Sequence, residues 1–583
     1  MQKSSFKNNF KTFYPFLIFC FSFLLYAQTL NFKFTMFDDD SLLMANKEFF
    51  TKDGSISKIF TTDAFMQNNK TFYRPLQNLS FLIDVKIAGK LNAGMFHFSN
   101  VLLFSLIAFS LYFLLLKFNI SYLHAFLGTL FYSAHPLFAS SAAWIPARGD
   151  LLLTLFSILA FIFWINFLHH KKYSALIITW LCFTLALFSK ETAALLPVLF
   201  LIYLLIFEHK PKIDVKMVLL GFLGLCTALA WYYLRNLSII NSDLDLTTSD
   251  FLQNLLAIPA SLAMFVAPYH FSTVPEFTPV KLILGFALLC LMVVLIVKKS
   301  ALPRGEKIFY LLWFLLLLLP TFFAKAKEWD YLDHRFLLPL ITVLIFLLLH
   351  IQKISKTKVI TVSVILISVF SIVTFLNAQA FSTPITFYEA AKDNKNKPEV
   401  YYFLKGNIEQ ITEKYDKALQ SYNAAIFYQP EHYRALNNRG IIKQTKGDFE
   451  GALADYNRAI DLGLKNYHIF KNRGTVKIHL EDAAGAIEDF ESALEFEPHA
   501  DTYTTLGIIC GQNGEVEKSI DYLTKAIETD PTYTLAYYNR SFAKYISSDY
   551  TGALADCNTL FAIDSLYPNV RILKEQIKKN LKP

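Results

Sequence analysis

The chain has 583 residues, of which 54% are hydrophobic and 17% charged, with a formal net charge of +8. Soluble domains carry about a quarter charged residues, so a wholly soluble protein is excluded. A charge this modest, held mostly in short loops beside apolar runs, reads as membrane sidedness rather than as a nucleic-acid surface. Six cysteines without a CxxC or a Cys/His cluster argue against both a zinc site and a disulfide framework.

In chain order, Lys3, Lys7 and Lys11 precede an apolar run near 12–30. That run is long for a signal peptide and predicts an uncleaved first span. Further runs of membrane-spanning length lie near 96–116, 121–139, 150–168, 173–189, 191–207, 216–235, 281–298, 307–324, 335–351 and 358–377, eleven spans in all. The apolar stretch 255–266 is shorter and fits an interfacial or re-entrant helix better than a twelfth span.

With the N-terminus inside, the inner loops hold Lys171, Lys172, Lys210, Lys212, Lys216, Lys298, Lys299, Arg304, Lys307, Lys353 and Lys356. Eleven spans then put the C-terminal part outside. The outer segments are 31–95, 140–149, the joint at Lys190, 236–280 and 325–334.

From about 399 to 571 the sequence repeats every 34 residues. Gly406, Gly440, Gly474 and Gly507 share one phase with Ser541, and Ala418, Ala452, Ala486, Ser519 and Ala553 share another. Pro430, Pro498 and Pro531 close three of the units. Small residues where two antiparallel helices touch, with proline after the second, are the tetratricopeptide pattern. Five units suffice to stack a continuous core, and such arrays bind peptides or proteins on a concave face. The recurring Asn438-Arg439-Gly440, Asn472-Arg473-Gly474 and Asn539-Arg540-Ser541 can line that face, or can be structural in the first helix of each unit.

The predicted architecture is all-α. A multi-span membrane domain covers 1–380 and contains the outer loop 31–95. A linker follows over 381–398, the repeat array over 399–571, and a C-terminal tail over 572–583.

Charged residues at membrane depth are costly and usually functional, though any single one at a span end can be an interfacial anchor or a loop charge. Here they gather in the outer segments: Phe37-Asp38-Asp39-Asp40 and Asn46, Arg74, His97 and Asn100, His135, Arg148 and Asp150, Lys190 and Glu191, and Asp333-His334-Arg335. An acidic pair can act as a general base toward a hydroxyl or hold a divalent cation. Arg and Lys can grip a phosphate.

The order Phe-Asp-Asp…Asn (Phe37, Asp38, Asp39, Asn46), Tyr-Arg-Pro-Leu (73–76), His97-x-x-Asn100, His135-Pro136, Arg148 and Lys190-Glu191, followed by the repeats, resembles the transmembrane and tetratricopeptide-repeat O-mannosyltransferases. The resemblance spans nearly the whole chain. It implies a GT-C-like membrane domain and an inverting transfer of a sugar, typically mannose, from a polyprenyl-phosphate sugar to a protein hydroxyl. It makes Asp38 or Asp39 the base, with Asp40 as a third acid in the motif. Arg74, Arg148, Lys190 and Arg335 become candidate phosphate contacts, and His97, Asn100, His135 and Glu191 candidate pocket residues. His334 stands where the family has an acid. The short array points to a bacterial version, in the inner membrane with its N-terminus cytoplasmic and its repeats periplasmic or lumenal. The partners implied are the lipid-linked donor, a protein or peptide acceptor, protein partners of the repeats and membrane lipid. No cofactor is called for beyond that optional cation. A non-enzymatic scaffold and a transporter of lipid-linked sugar are the competing readings. The many spans count against the first, and charges at span ends rather than midpoints against the second.

Overall fold

The computed structural model describes residues 2–35, 37–66, 72–208, 215–238, 251, 254–268, 272–273, 277–297, 302–322, 333–391 and 398–581. The inner-loop residues Lys210, Lys212, Lys298 and Lys299, the outer-loop residues 325–332, and the side chains of Asp40 and Asp333 lie outside this description. All the regular structure described is helical. The chain divides into two compact units, one of Met1–Met66 and Lys70–Ile411, the other of Thr412–Pro583.

The helices of the first unit are α1 (Gln2–Tyr26), α2 (Ile56–Thr61), α3 (Pro75–Ala88), α4 (Ala93–Lys117), α5 (Tyr122–Ala134), α6 (Ala139–Ala143), α7 (Arg148–His170), α8 (Tyr173–Ser189), α9 (Leu196–Phe207), α10 (Val215–Ser238), α11 (Ala257–Val266), α12 (Pro279–Val297), α13 (Arg304–Phe322), α14 (Leu340–Ile351), α15 (Lys356–Ala378), α16 (Pro384–Ala391) and α17 (Pro398–Ile411). Each expected span carries one of these helices. Among the described residues, five segments are long and apolar enough to cross a membrane: Phe13–Asn31, Ala93–Lys117, Ile145–His170, Val215–Ser238 and Lys356–Phe381. This is a membrane protein.

Several other apolar helices are shorter for local reasons. The expected third span, 121–139, breaks after Ala134. There His135 turns extended and Pro136, lacking an N–H, opens a tight turn before the five-residue α6. The expected tenth span, 335–351, is helical only from Leu340, because His334 and Arg335 occupy a tighter turn ahead of Pro339. The stretch 255–266 contains α11, ten residues long. At 1.5 Å per residue it reaches about half of a hydrocarbon core.

Helix α7 is the centre of the first unit and packs on α4 and α8. Its window of greatest hydropathy is 78% buried, against 0% for α10. Phe161 of α7 stacks on the fully enclosed Trp313 of α13 at 4.3 Å. By contrast α10 exposes Val215, Val218, Phe222, Leu225 and Leu229, the pattern of a helix that faces lipid.

The second unit continues the repeats as helix pairs: α18 (Tyr415–Tyr428), α19 (Tyr433–Thr445), α20 (Phe449–Asp461), α21 (Tyr467–His479), α22 (Ala483–Phe496), α23 (Ala500–Gln512), α24 (Val516–Thr529), α25 (Thr534–Ile546) and α26 (Tyr550–Ile563). A final helix, α27 (Val570–Asn580), covers Cys557 and Leu560, so most of the expected tail is helical. The close approach behind the glycine phase is visible at Gly440, where an added Cβ would sit 2.8 Å from the Tyr456 ring. Asp448, Asp482 and Asp549 cap the second helices by accepting from the N–H three residues on, at 2.9–3.0 Å.

The arginines of the Asn-Arg pattern are structural in part. Arg439 Nε and Nη2 donate to Asp455, and Arg473 and Arg540 grip Asp489 and Asp556 in the same way. Arg439 Nη1 and Arg473 Nη1 also reach back sixteen residues to Asn423 and Asn457.

Candidate active site

The acidic motif follows α1. Asp39 is buried, and its carboxylate accepts from Thr35 N at 2.6 Å, Thr35 Oγ1 at 2.7 Å and Phe37 N at 3.0 Å. Asp39 therefore shapes the loop that bears it. Burial pushes its carboxyl pKa upward, and the hydrogen bonds oppose that rise. The adjacent Asp38 is half-buried and acts electrostatically on Arg335. Asn46 braces the next turn by donating to the carbonyls of Leu42 and Phe65.

Arg148 opens α7 and has no exposed surface. Its Nε donates to Asn100 Oδ1 at 2.7 Å, Nη1 to Asp84 Oδ2 at 2.5 Å, and Nη2 to the Phe96 carbonyl at 2.6 Å. The guanidinium also lies over Phe81, 4.4 Å from the ring centroid. Asn100 donates in turn to the Trp144 carbonyl at 3.1 Å, and Ser99 to Asp84 at 2.6 Å. This clasp ties α3, α4 and α7 together. His97 lies beside it, edge-on to Phe32 and near the Lys33 carbonyl, with neither ring nitrogen in a well-formed hydrogen bond.

One turn edge further, Asp150 meets Lys190. The ammonium donates to both carboxylate oxygens, at 2.7 and 2.9 Å. Lys190 occupies an extended joint between α8 and the tight turn Glu191–Leu195, which points it across to α7. His334 Nε2 stands 3.7 Å from the same carboxylate. Burial holds the His334 imidazole down to about 3, so it is neutral at ordinary pH. Burial also lowers the Lys190 ammonium, which Asp150 opposes. Arg74, Arg335 and Glu191 complete the group: Arg74 acts on Asp150, Lys190 and His334, and Glu191 on Lys190 and Arg335. Arg74 Nε is enclosed without a hydrogen-bond partner. A cavity of about 10 Å³ opens here between Asp150, Lys190, Thr192, Arg335 and Pro339, room for about one water.

The structure thus brings Arg74, Lys190, Glu191 and Arg335 into one electrostatic neighbourhood with Asp150, and Asp38 adjoins it through Arg335. Arg148 and Asn100 belong to the adjoining clasp. His135 is engaged elsewhere. Its Nδ1 accepts from Leu137 N at 3.2 Å, its Nε2 donates to the Phe265 carbonyl at 2.9 Å, and its ring stacks on Phe265. It anchors α11. Among the described residues no three His, Cys, Asp or Glu side chains are grouped as a metal would need. Asp84 was not singled out from the sequence. Its signal is a lone acid in the apolar run Phe81-Leu82-Ile83-Asp84-Val85.

Two kinds of known family match segments of the chain. Residues 80–233 match the family described as dolichyl-phosphate-mannose-protein mannosyltransferase, a range holding Asp84, His97, Asn100, His135, Arg148, Asp150 and Lys190. Residues 404–467 and 500–533 match tetratricopeptide-repeat families. The protein is therefore a membrane protein with a region similar to the mannosyltransferase family. More particularly, it joins that region to tetratricopeptide repeats, the combination that its motifs resemble.

An uncharacterized protein of Methanocaldococcus jannaschii is 39% identical over 54 residues, 9% of this chain, and the chain spans 63% of that curated relative's length. Among solved structures, YrrB, a tetratricopeptide-repeat protein with an unusual peptide-binding site, is 19% identical with a TM-score of 0.30, covering 33% of this chain and 97% of its own. MamA residues 41-end from Desulfovibrio magneticus are 17% identical with a TM-score of 0.28, covering 29% and 97%. PilW, a type IV pilus biogenesis factor, is 17% identical with a TM-score of 0.27, covering 31% and 86%.

Proposed function

We propose that the protein is a membrane glycosyltransferase of the GT-C type that moves a sugar, mannose on the family resemblance, from a polyprenyl-phosphate carrier to a hydroxyl of a protein acceptor. Asp38 takes the acceptor's proton. The acceptor oxygen forms a bond to the anomeric carbon, and the bond from that carbon to the phosphate oxygen breaks, with inversion. Polyprenyl phosphate leaves with the electron pair, and Arg335, Arg74 and Lys190 stabilise the charge that develops on it. Asp38 is chosen over Asp39 because it interacts electrostatically with Arg335, whereas Asp39 closes its own loop through both carboxylate oxygens.

The observation that carries this reading is Arg335, which lines the small cavity with Asp150 and Lys190 and interacts electrostatically with Asp38 and Arg74. Arg148 and Asn100 serve as positioning residues, because the guanidinium is already engaged by Asp84, Asn100 and Phe96. The basic loops support an N-terminus inside and repeats outside, and the short array favours a bacterial inner membrane. There the repeats present the acceptor or recruit a partner protein.

The test is transfer by the full chain from polyprenyl-phosphate mannose to a Ser/Thr-containing peptide. Asp38→Asn is expected to lower turnover by about 100-fold or more while folding persists. Asp39→Asn is expected to lower the unfolding temperature as well. Unchanged transfer in both variants and in the double variant would sink the proposal.

A further inference from the structure

Composition marks 381–398 as a linker, yet its first half is built into the acidic loop. Phe381 and Phe387 are 1% exposed and Tyr388 4%. Phe387 lies 5.0 Å from the ring of Phe37, the residue immediately before Asp38, and Tyr388 meets the same ring edge-on at 6.3 Å. Phe387 also stacks against Trp144 at 6.3 Å, and Trp144 lies 5.3 Å from His334. One aromatic cluster therefore borders both the acidic motif and the cationic group.

Polar contacts hold this segment in register. Lys33 N donates to the Ser382 carbonyl at 2.9 Å, Gln28 Nε2 to the Phe375 carbonyl at 2.9 Å, and Gln379 Nε2 to Gln28 at 2.5 Å. Thr273 Oγ1 donates to the Phe387 carbonyl at 2.7 Å. Thr383 and Thr386 cap the start of α16 reciprocally, each backbone N–H donating to the other's hydroxyl at 3.0 and 3.2 Å. On its other side α16 packs against α17, the helix that carries Gly406 and begins the first repeat.

We propose that residues 379–391 form a positioning strap, in which Phe387 and Tyr388 hold Phe37 and thereby fix the Asp38 carboxylate for the reaction, joining the catalytic loop to the first repeat helix. This rests on Asp38 being the base. Phe37 N donates to Asp39, and its ring packs on Phe387, Tyr388 and Trp144, with Phe387 at 5.0 Å. Loss of the Phe387 ring removes the 5.0 Å contact among these and lets Asp38 move, while Lys190 keeps its hydrogen bonds to Asp150. The strap therefore acts on turnover rather than on donor binding.

The test uses the full chain in lipid nanodiscs, with polyprenyl-phosphate mannose and an acceptor peptide. Phe387→Ala is expected to lower kcat by up to about 100-fold, the cost of misplacing a reacting group by about 1 Å, with the donor KM little changed. Phe387→Leu, which refills the space, is expected to restore most of that turnover. The limb of the kcat–pH profile that reports the base is expected to move in the alanine variant. Should Phe387→Ala fail to fold, Tyr388→Leu is read by the same kcat and KM comparison. An unchanged kcat per folded enzyme, or an equal loss in the alanine and leucine variants, overturns the strap. Asp38→Asn is the control. If it is inactive while Phe387→Ala is fully active, only the strap fails; if it is active, the base assignment fails and the strap with it.

Discussion

In the membrane unit Arg148 is fully enclosed, and its Nε, Nη1 and Nη2 donate to Asn100, Asp84 and the Phe96 carbonyl. In the repeats Arg439, Arg473 and Arg540 also grip a carboxylate, but their side chains keep 19, 18 and 15% of their exposure. The difference is one of dielectric. In a protein interior an unpaired charge is severely penalised, so the partners of Arg148 must all be present together. At a partly wet surface, water takes over a lost contact. The array itself shows this tolerance. One phase on from Arg473 and Asp489 stand Leu506 and Tyr522, and the tyrosine donates to Glu491 instead. The rung is missing there and the helices still stack.

The sharpest way to break this comparison is to damage the clasp. Arg148→Met leaves Asp84 buried without its cation and is expected to cost about 3–5 kcal/mol, enough to lose most folded protein. Arg148→Lys is expected to fail as well, since an ammonium cannot reproduce the planar fork that reaches Asn100, Asp84 and Phe96. Thermal unfolding in detergent reads both. A lysine variant with normal stability would mean that the clasp is held by packing alone.

The Asp150–Lys190 pair comes next. Lys190→Met strands a buried carboxylate and is expected to destabilise by nearly as much as the loss of Arg148. Adding Asp150→Asn removes the stranded charge, so the double variant is expected to regain much of that stability. Transfer is expected to stay lost in the double variant, because Lys190 is assigned to the leaving phosphate. Recovery of both stability and transfer would reduce the pair to a structural role.

His334 gives the comparison a pH axis. Its folded imidazole is held at about 3, below the ordinary value of 6.5, mainly by burial. Between those values the unfolded chain takes up a proton that the folded chain refuses. Stability contributed at His334 is thus complete above pH 6.5 and is lost as the pH falls toward 3. His334→Gln is expected to flatten the acid-side slope of unfolding temperature against pH. Parallel slopes in wild type and variant would refute the burial argument.

The repeats were readable because their signals are local and periodic. Gly440 and Tyr456 meet within one unit, and Asp448 caps a helix three residues away. The membrane site was readable only as a set of expensive residues at segment ends. Lys190, Arg74 and Arg335 could be flagged for their cost, but Asp84 and Arg148 pair across 64 residues and no pattern in the chain announces that. Nor does the motif separate Asp38 from Asp39. That takes the turn at Thr35, which uses one carboxylate to close the loop. The burial of Phe387 and Tyr388 is masked because 392–397 is polar and rich in Lys and Asn, and that composition marks the whole of 381–398 as a linker. Phe381, Phe387 and Tyr388 were the contrary signal, three aromatics in a stretch with no apparent need for them.

The smallest effect belongs to a single rung of the repeats. Asp489 is almost wholly buried and accepts from Arg473 at 2.9 and 2.5 Å and from Lys477 at 3.0 Å. Asp489→Ala removes those bonds but strands only cations with an outlet to solvent. The expected cost is about 1–2 kcal/mol, and transfer per folded enzyme should be unaffected. If Asp489→Ala instead cost as much as Arg148→Met, partial exposure would not be what separates the two arginine sites, and the array would have to be counted as one cooperative block. The interruption at Leu506 and Tyr522 argues against that outcome, since a block that depended on every rung could not carry a gap between the rungs of Arg473 and Arg540.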